Sequence, residues 1–206
     1  LLEIGAEGVF RVIATAGDTF LGGEDFDSRL ADWIIEDFEK EHALNLRNDR
    51  MALQRIRDAA EQAKCDLSTL RQVEINLPFI ITSKDGQPLH IQKTLTREQF
   101  VAMTEDLVGR SIDICESTLE EAGIQPEDVQ DVIMVGGMTR VPLVMERVRG
   151  FFDKEPCKGV HPDEVVALGA AIQGYNLVSE QSEIILLDVT PHTLGIMVVG
   201  GLFEEI

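Results

Sequence analysis

The chain has 206 residues, enough for one domain with a substantial core or for two small ones. Its hydrophobic content of 44% and charged content of 27% are ordinary for a globular protein. With 18 basic and 37 acidic side chains the net charge is -19, which repels a phosphate backbone, excludes nucleic acid as a general partner and favours basic partner proteins.

Residues 1–4 and 9–16 are β-rich runs around Gly5-Ala6-Glu7-Gly8, a hairpin pattern. There is no initiator Met, the opening LLEI is strand-like and the closing GGLFEEI stops in mid-pattern, so the chain reads as a piece of a longer protein. A glycine pair, Gly22-Gly23, precedes acids at 24, 25 and 27 that suit the first turn of a helix. Phe26, Leu30, Ile34 and Phe38 then recur every fourth residue, a buried helical stripe. A second helix is predicted over 49–67, with Met51, Leu53, Ile56, Ala59, Ala60 and Ala63 on its apolar side. Strands follow over 73–81 and 89–95, turning at Asp85-Gly86. Thr96 and Gln99 form a capping box for a long helix ended by Gly123. Residues 131–135 read as a buried strand that enters VGGMTRVP, and 141–152 as a helix. Pro162 takes a helical N1 position, with Asp163 and Glu164 in the first turn. A polar stretch over 180–183 reads as a linker, followed by IILLD, Thr190-Pro191 and a last β-rich segment. Strands mixed with helices, including a strand–turn–helix unit, place the chain in the α/β class.

Cys65, Cys115 and Cys157 are far apart, odd in number and form no CxxC. A disulfide framework or zinc site is therefore not expected, and a reducing compartment fits best. No apolar run approaches the roughly twenty residues that span a bilayer, so no membrane partner is expected. His42, His90, His161 and His192 lie in unrelated settings and read as surface or structural groups.

The candidate sites have plain alternatives. Gly136-Gly137 lets backbone approach a ligand and puts free N–H groups at a helix start, yet a Gly-Gly turn is more often only a tight turn. Gly22-Gly23 repeats that signal. Arg140 can pair with a surface acid or lay its guanidinium plane on an aromatic base. Glu61 and Lys64 at i, i+3 are most simply an exposed ion pair, worth at most about 0.5 kcal/mol; a polar pair of this kind also suits a ribose. IILLD is by default a core strand, with a docking and detaching linker as the alternative.

Taken together, AGDTFLGGEDFD, AAEQAK…LS, EINLPFI, VGGMTRVP, HPDEVVALGAAIQG and ILLDVTPHTLGI resemble, in order and over essentially the whole chain, the second lobe of the ATPase domain of DnaK-type heat-shock chaperones, the seventy-kilodalton family. The resemblance implies an actin-like and sugar-kinase-like ATPase lobe (lobe II) with an inserted α+β subdomain. It divides the chain into lobe core over 1–21, inserted subdomain over 22–104, lobe core over 105–180, inter-domain linker over 181–189, and the start of a β substrate-binding domain over 190–206. It implies adenosine contacts at Gly136, Gly137, Arg140 and Val141, with Arg140 stacking on adenine. Ribose and adenine contacts fall on Glu61, Lys64 and Ser68, a phosphate backbone contact on Gly23, and a further nucleotide contact on Asp163. The VGG turn then holds the nucleoside end, which explains why it carries no phosphate-gripping lysine.

Met138 departs from the Ser or Gln common in the family, Cys65 from a second arginine common in animal members, and His161-Pro162 from Asn-Pro. The family's phosphate loops, catalytic lysine and threonine, and magnesium-associated aspartates have no counterpart here, so no catalytic or metal-binding residue is assigned. The resemblance implies ATP or ADP, with magnesium in the intact parent, which is expected to be a cytoplasmic ATPase, the fragment alone being inactive. Implied partners are unfolded polypeptides, a J-domain co-chaperone and a nucleotide-exchange factor. The alternatives are a non-catalytic co-chaperone-binding module and a sugar kinase of the same fold; the ILLDVTP tail argues against the kinase.

Overall fold

In the computed structural model of the chain, the fourfold spacing of Phe26, Leu30, Ile34 and Phe38 forms helix α1 (Gly23–His42), and all four side chains are buried. Residues 1–5, 8–159, 161–179, 184–189, 195–198 and 203–205 are described. The chain divides into two units. One comprises Leu1–Asp18, Ile112–Gly136 and Phe151–Ile206; the other comprises Thr19–Ser111 and Gly137–Gly150.

The second unit holds the main core. Helix α2 (Arg50–Leu67) starts at Asp49, whose carboxylate accepts from the N–H groups of Met51 at 2.9 Å and Ala52 at 3.1 Å. It turns Ala52, Ile56, Ala60, Ala63 and Leu67 inward against the α1 stripe. Its alanines leave room for close approach, while each fully buried Leu, Ile or Phe contributes about 1.5–3 kcal/mol. Met51, expected on the apolar side, is instead 75% exposed, because it lies about 100° around the helix from Ala52, off the face that Ala52, Ile56, Ala60 and Ala63 bury. Strands β3 (Gln72–Thr82) and β4 (Pro88–Thr96) pair antiparallel, and Val73, Ile75, Ile91 and Leu95 cover the same core. Their turn has Gly86 at φ 79°, with its N–H on the Ser83 carbonyl at 3.0 Å.

The β3–β4 register shifts between Leu77 and Ile81, where Phe79 takes φ 52°. The Phe79 N–H donates to His90 Nδ1 at 2.9 Å, and Arg55 donates to the Pro78 and Phe79 carbonyls at 2.7 and 3.0 Å. These bonds satisfy the backbone groups that the bulge removes from the ladder.

Helix α3 (Arg97–Ala122) opens with the expected capping box. The Thr96 N–H donates to Gln99 Oε1 at 2.9 Å, and the Gln99 N–H to Thr96 Oγ1 at 3.2 Å. Arg97 also donates to the Leu67 and Leu70 carbonyls, closing the C-terminal end of α2. Phe100, Leu107 and Val108 complete the core, and Gly123 at φ 67° ends the helix. Residues 137–140 form one 3-10 turn before α4 (Pro142–Phe152), whose Leu143 is also buried in this core.

In the first unit, β1 (Leu2–Ile4) pairs antiparallel with β2 (Val9–Val12), a shorter second strand than the 9–16 run predicts. Residues 6 and 7 of the hairpin lie outside the described residues. Strand β5 (Ile185–Leu187) joins β2 in parallel, with Phe10 opposite Leu186. Its three side chains are about half exposed, so IILLD is neither a buried core strand nor free of the sheet. Residues 180–183 and 190–194, the polar linker and Thr190-Pro191 of the sequence reading, lie outside the described residues. Strands β6 (Gly195–Met197) and β7 (Phe203–Glu205) pair antiparallel.

Two expectations need correction here. Residues 131–135 form no strand, and Ile133 and Val135 are exposed rather than buried. A strand needs a ladder; here the Cys157 N–H meets the Val132 carbonyl at 2.8 Å without the alternating partners of a neighbouring strand. Helix α5 begins later than Pro162 predicts, at Val165 (Val165–Val178). The His161 carbonyl accepts from both Glu164 at 3.2 Å and Val165 at 3.0 Å, so residues 162–164 make a turn first.

Candidate functional site

Gly23 and Asp27 near the start of α1 and one face of α2 build the candidate site. Gly22 is the N-cap of α1, and its N–H donates to Asp25 Oδ2 at 2.7 Å. This leaves Gly23 as the first helical residue, with no side chain. Glu61, Lys64 and Ser68 follow one another at i, i+3 and i+7 along α2, on a common face. Ser68 is the C-cap residue, and its hydroxyl reaches the Lys64 carbonyl at 3.5 Å.

Lys64 is the departure from the plain reading. It is only 8% exposed, and its partner is not the neighbouring Glu61 but Asp27 on α1. Lys64 Nζ donates to Asp27 Oδ2 at 2.8 Å and to the Gly23 carbonyl at 3.2 Å. Burial pushes the Asp27 carboxyl above its usual value of 3.8; the Lys64 bond and charge pull it back, and Glu61 and Glu24 add to the rise. The second oxygen, Asp27 Oδ1, is buried without a hydrogen-bond partner among the described residues.

The loop of Gly137 and Arg140 reaches the same place. A Cβ built on Gly23 would lie 3.0 Å from Lys64 Nζ and 3.4 Å from Met138 Sδ. Residues 23, 64 and 138 therefore meet around one missing side chain. Arg140 is exposed at the end of this turn. Val141 is placed differently: its side chain is buried in the core, and its N–H is taken by the Met138 carbonyl at 3.1 Å. It supports the turn and offers a ligand little of its own. Cys65 is a free, exposed thiol beside Lys64 on α2.

Gly136 and Asp163 belong to the first unit. Gly136 has φ 90° and donates its N–H to the Pro162 carbonyl at 2.9 Å, which brings it beside the turn carrying Asp163. Among the described residues no group of three or more His, Cys, Asp or Glu could hold a metal ion, and no helix is long and apolar enough to cross a membrane.

Asp27 is the site residue that sequence reasoning missed; Met138 entered it only as a departure within the VGG turn, with no contact to Gly23 foreseen. Asp27 carried only the signal of a helix-start acid, and nothing local links it to a lysine 37 positions away.

Comparison with known proteins bears on this geometry. Residues 1–206 match the profile of the family described as Hsp70 protein. Proteins named Chaperone protein DnaK from Thermotoga petrophila, Thermotoga maritima and Thermotoga neapolitana are 53% identical to the chain over 210 residues, covering 100% of it and 35% of each relative. The chain thus spans about a third of the length of these curated relatives. Because the match runs through both units and every motif that builds the site, the chain belongs to the Hsp70 protein family.

Proposed function

We propose that this chain supplies the nucleoside end of an ATP site, and an inter-domain linker, in an ATP-dependent chaperone that binds and releases unfolded polypeptides. The observation that carries the proposal is the meeting of Gly23, Lys64 and Met138, from three segments far apart in sequence, in one place. These are the segments to which the family resemblance assigns nucleotide contacts.

The donor set fits a nucleoside. Ribose hydroxyls both donate and accept, and Lys64, Glu61 and Ser68 offer an ammonium, a carboxylate and a hydroxyl along one helix face. The planar guanidinium of Arg140 suits an adenine face. Gly23 and Gly137 let backbone approach closely, Gly23 with its N–H in the first turn of α1. ATP with its magnesium supplies the phosphoanhydride that is cleaved; the residues named here bind and orient the nucleoside. Gly136 and Asp163 are further nucleotide contacts in this reading.

In this reading residues 1–21 and 105–180 are lobe II core and 22–104 its inserted subdomain; unit boundaries near Asp18 and Ser111 support this, whereas Gly137–Gly150 group with the inserted part. Pairing of β5 with β2 supports a linker over 181–189 that docks on the lobe, ahead of a β substrate-binding domain from 190. A J-domain co-chaperone and a nucleotide-exchange factor are the regulatory partners, and the cytoplasm the location, in the same reading. The hairpin acid Glu3 lies 3.9 Å from Arg11, so part of its charge is already met; Glu7 lies outside the described residues.

The test is calorimetric titration of ATP into the full-length protein carrying Arg140→Ala. Loss of a stacked guanidinium weakens binding by about 1–2 kcal/mol. Affinity equal to wild type would return Arg140 to the role of a surface charge.

A further inference from the structure

A lysine ammonium has three N–H donors on a flexible four-carbon stem. Lys64 has two of them committed, to Asp27 Oδ2 at 2.8 Å and to the Gly23 carbonyl at 3.2 Å. Its side chain is 10% exposed and that of Asp27 15%, so the pair is held in a largely dry setting. Such pairing fixes the direction of the remaining N–H and settles most of the stem's rotamer entropy during folding rather than on binding.

The cost of this arrangement is visible. Asp27 Oδ1 is buried with no partner among the described residues, a condition native proteins rarely leave unexplained. A surface Glu61–Lys64 pair would have avoided it. Gly23 belongs to the same device, since a side chain there would crowd the ammonium that its own carbonyl accepts.

We propose that Asp27 is a positioning residue: with the Gly23 carbonyl it aims the Lys64 ammonium so that its third N–H meets a ribose hydroxyl of the bound nucleotide. This inference rests on the nucleoside-site reading given above. Asp27 does not touch the nucleotide; it acts through Lys64.

The experiment compares ADP with 2′,3′-dideoxy-ADP in the full-length protein, for wild type, Asp27→Leu, Asp27→Asn and Lys64→Met. Asp27→Leu weakens ADP about tenfold and dideoxy-ADP less than about twofold, since the analogue has no hydroxyl for the aimed N–H to meet. Asp27→Asn keeps the shape and an acceptor but not the charge, and shows the same selectivity at about threefold. It stands in for the leucine variant if that does not fold. A double variant with Lys64→Met is no weaker for ADP than Lys64→Met alone, because both act through one contact.

Equal loss for the two nucleotides in both Asp27 variants, or no loss in either, would overturn the positioning role. If Lys64→Met selects between ADP and its dideoxy analogue but the Asp27 variants do not, Lys64 keeps its ribose role and only the aiming by Asp27 fails. If Lys64→Met shows no such selectivity, the ribose contact itself is wrong.

Discussion

Gly23→Ala separates the fold of the site from its function. A methyl at this position would sit 3.0 Å from Lys64 Nζ and 3.4 Å from Met138 Sδ, closer than the roughly 3.5–4.0 Å at which such atoms rest. Both neighbours are tips of flexible side chains, so they yield by a few tenths of an ångström rather than displacing backbone. Lys64 keeps its 2.8 Å bond to Asp27 but loses the bond to the Gly23 carbonyl, which at 3.2 Å has little slack. Loss of so long a charged hydrogen bond costs about 1 kcal/mol. Alanine at a helical position is favoured over glycine by up to about 1 kcal/mol, and the two terms nearly cancel in stability. Nucleotide affinity has no such compensation, because the aim of the ammonium is lost, and it falls about fivefold. Calorimetric titration of ADP and a thermal melt of the full-length protein read both quantities. A melting temperature lower by more than about 4 °C with affinity intact would refute the reasoning, since the crowding would then act on the fold alone.

Leu30→Ala, at a fully buried position of α1, destabilises the unit that carries Lys64 by about 3 kcal/mol in urea unfolding; a loss under about 1 kcal/mol would mean that the α1–α2 core repacks freely. Because burial raises the Asp27 carboxyl above 3.8 in the folded state, the folded chain binds this proton more readily than the unfolded one, and the group's contribution to stability falls as pH rises through that window. Wild type therefore gains on Asp27→Asn as pH is lowered from about 7 towards the ordinary carboxylate range, and unfolding curves in which it loses ground would show the charged form to be the favoured one. Leu186→Asp with Leu187→Asp removes side chains whose half-burial contributes about 1 kcal/mol each where β5 pairs with β2. On the proposed function, it uncouples ATP from peptide release in the full-length protein while the circular dichroism spectrum is unchanged; normal ATP-triggered release would reduce β5 to a packing strand.

The sequence by itself determined those features whose causes are local. The α1 stripe, the Asp85-Gly86 turn, the Thr96–Gln99 capping box and the stop at Gly123 each depend on residues within a turn or two of one another, and each is present. Its motifs pointed to the family because they occur in family order over essentially the whole chain. Tertiary structure decided the rest. Residues 131–135 have the composition of a strand, but a strand exists only where a neighbour supplies its ladder. The reversal of Phe79 depends on His90 and Arg55, which reach it from another strand and a helix. At the site, spacing made Glu61 and Lys64 an exposed pair, yet the ammonium points across to α1. Which face of α2 is buried, and therefore which carboxylate is near enough and dry enough to hold Lys64, is set by the packing of two helices; no local pattern encodes that choice of Asp27.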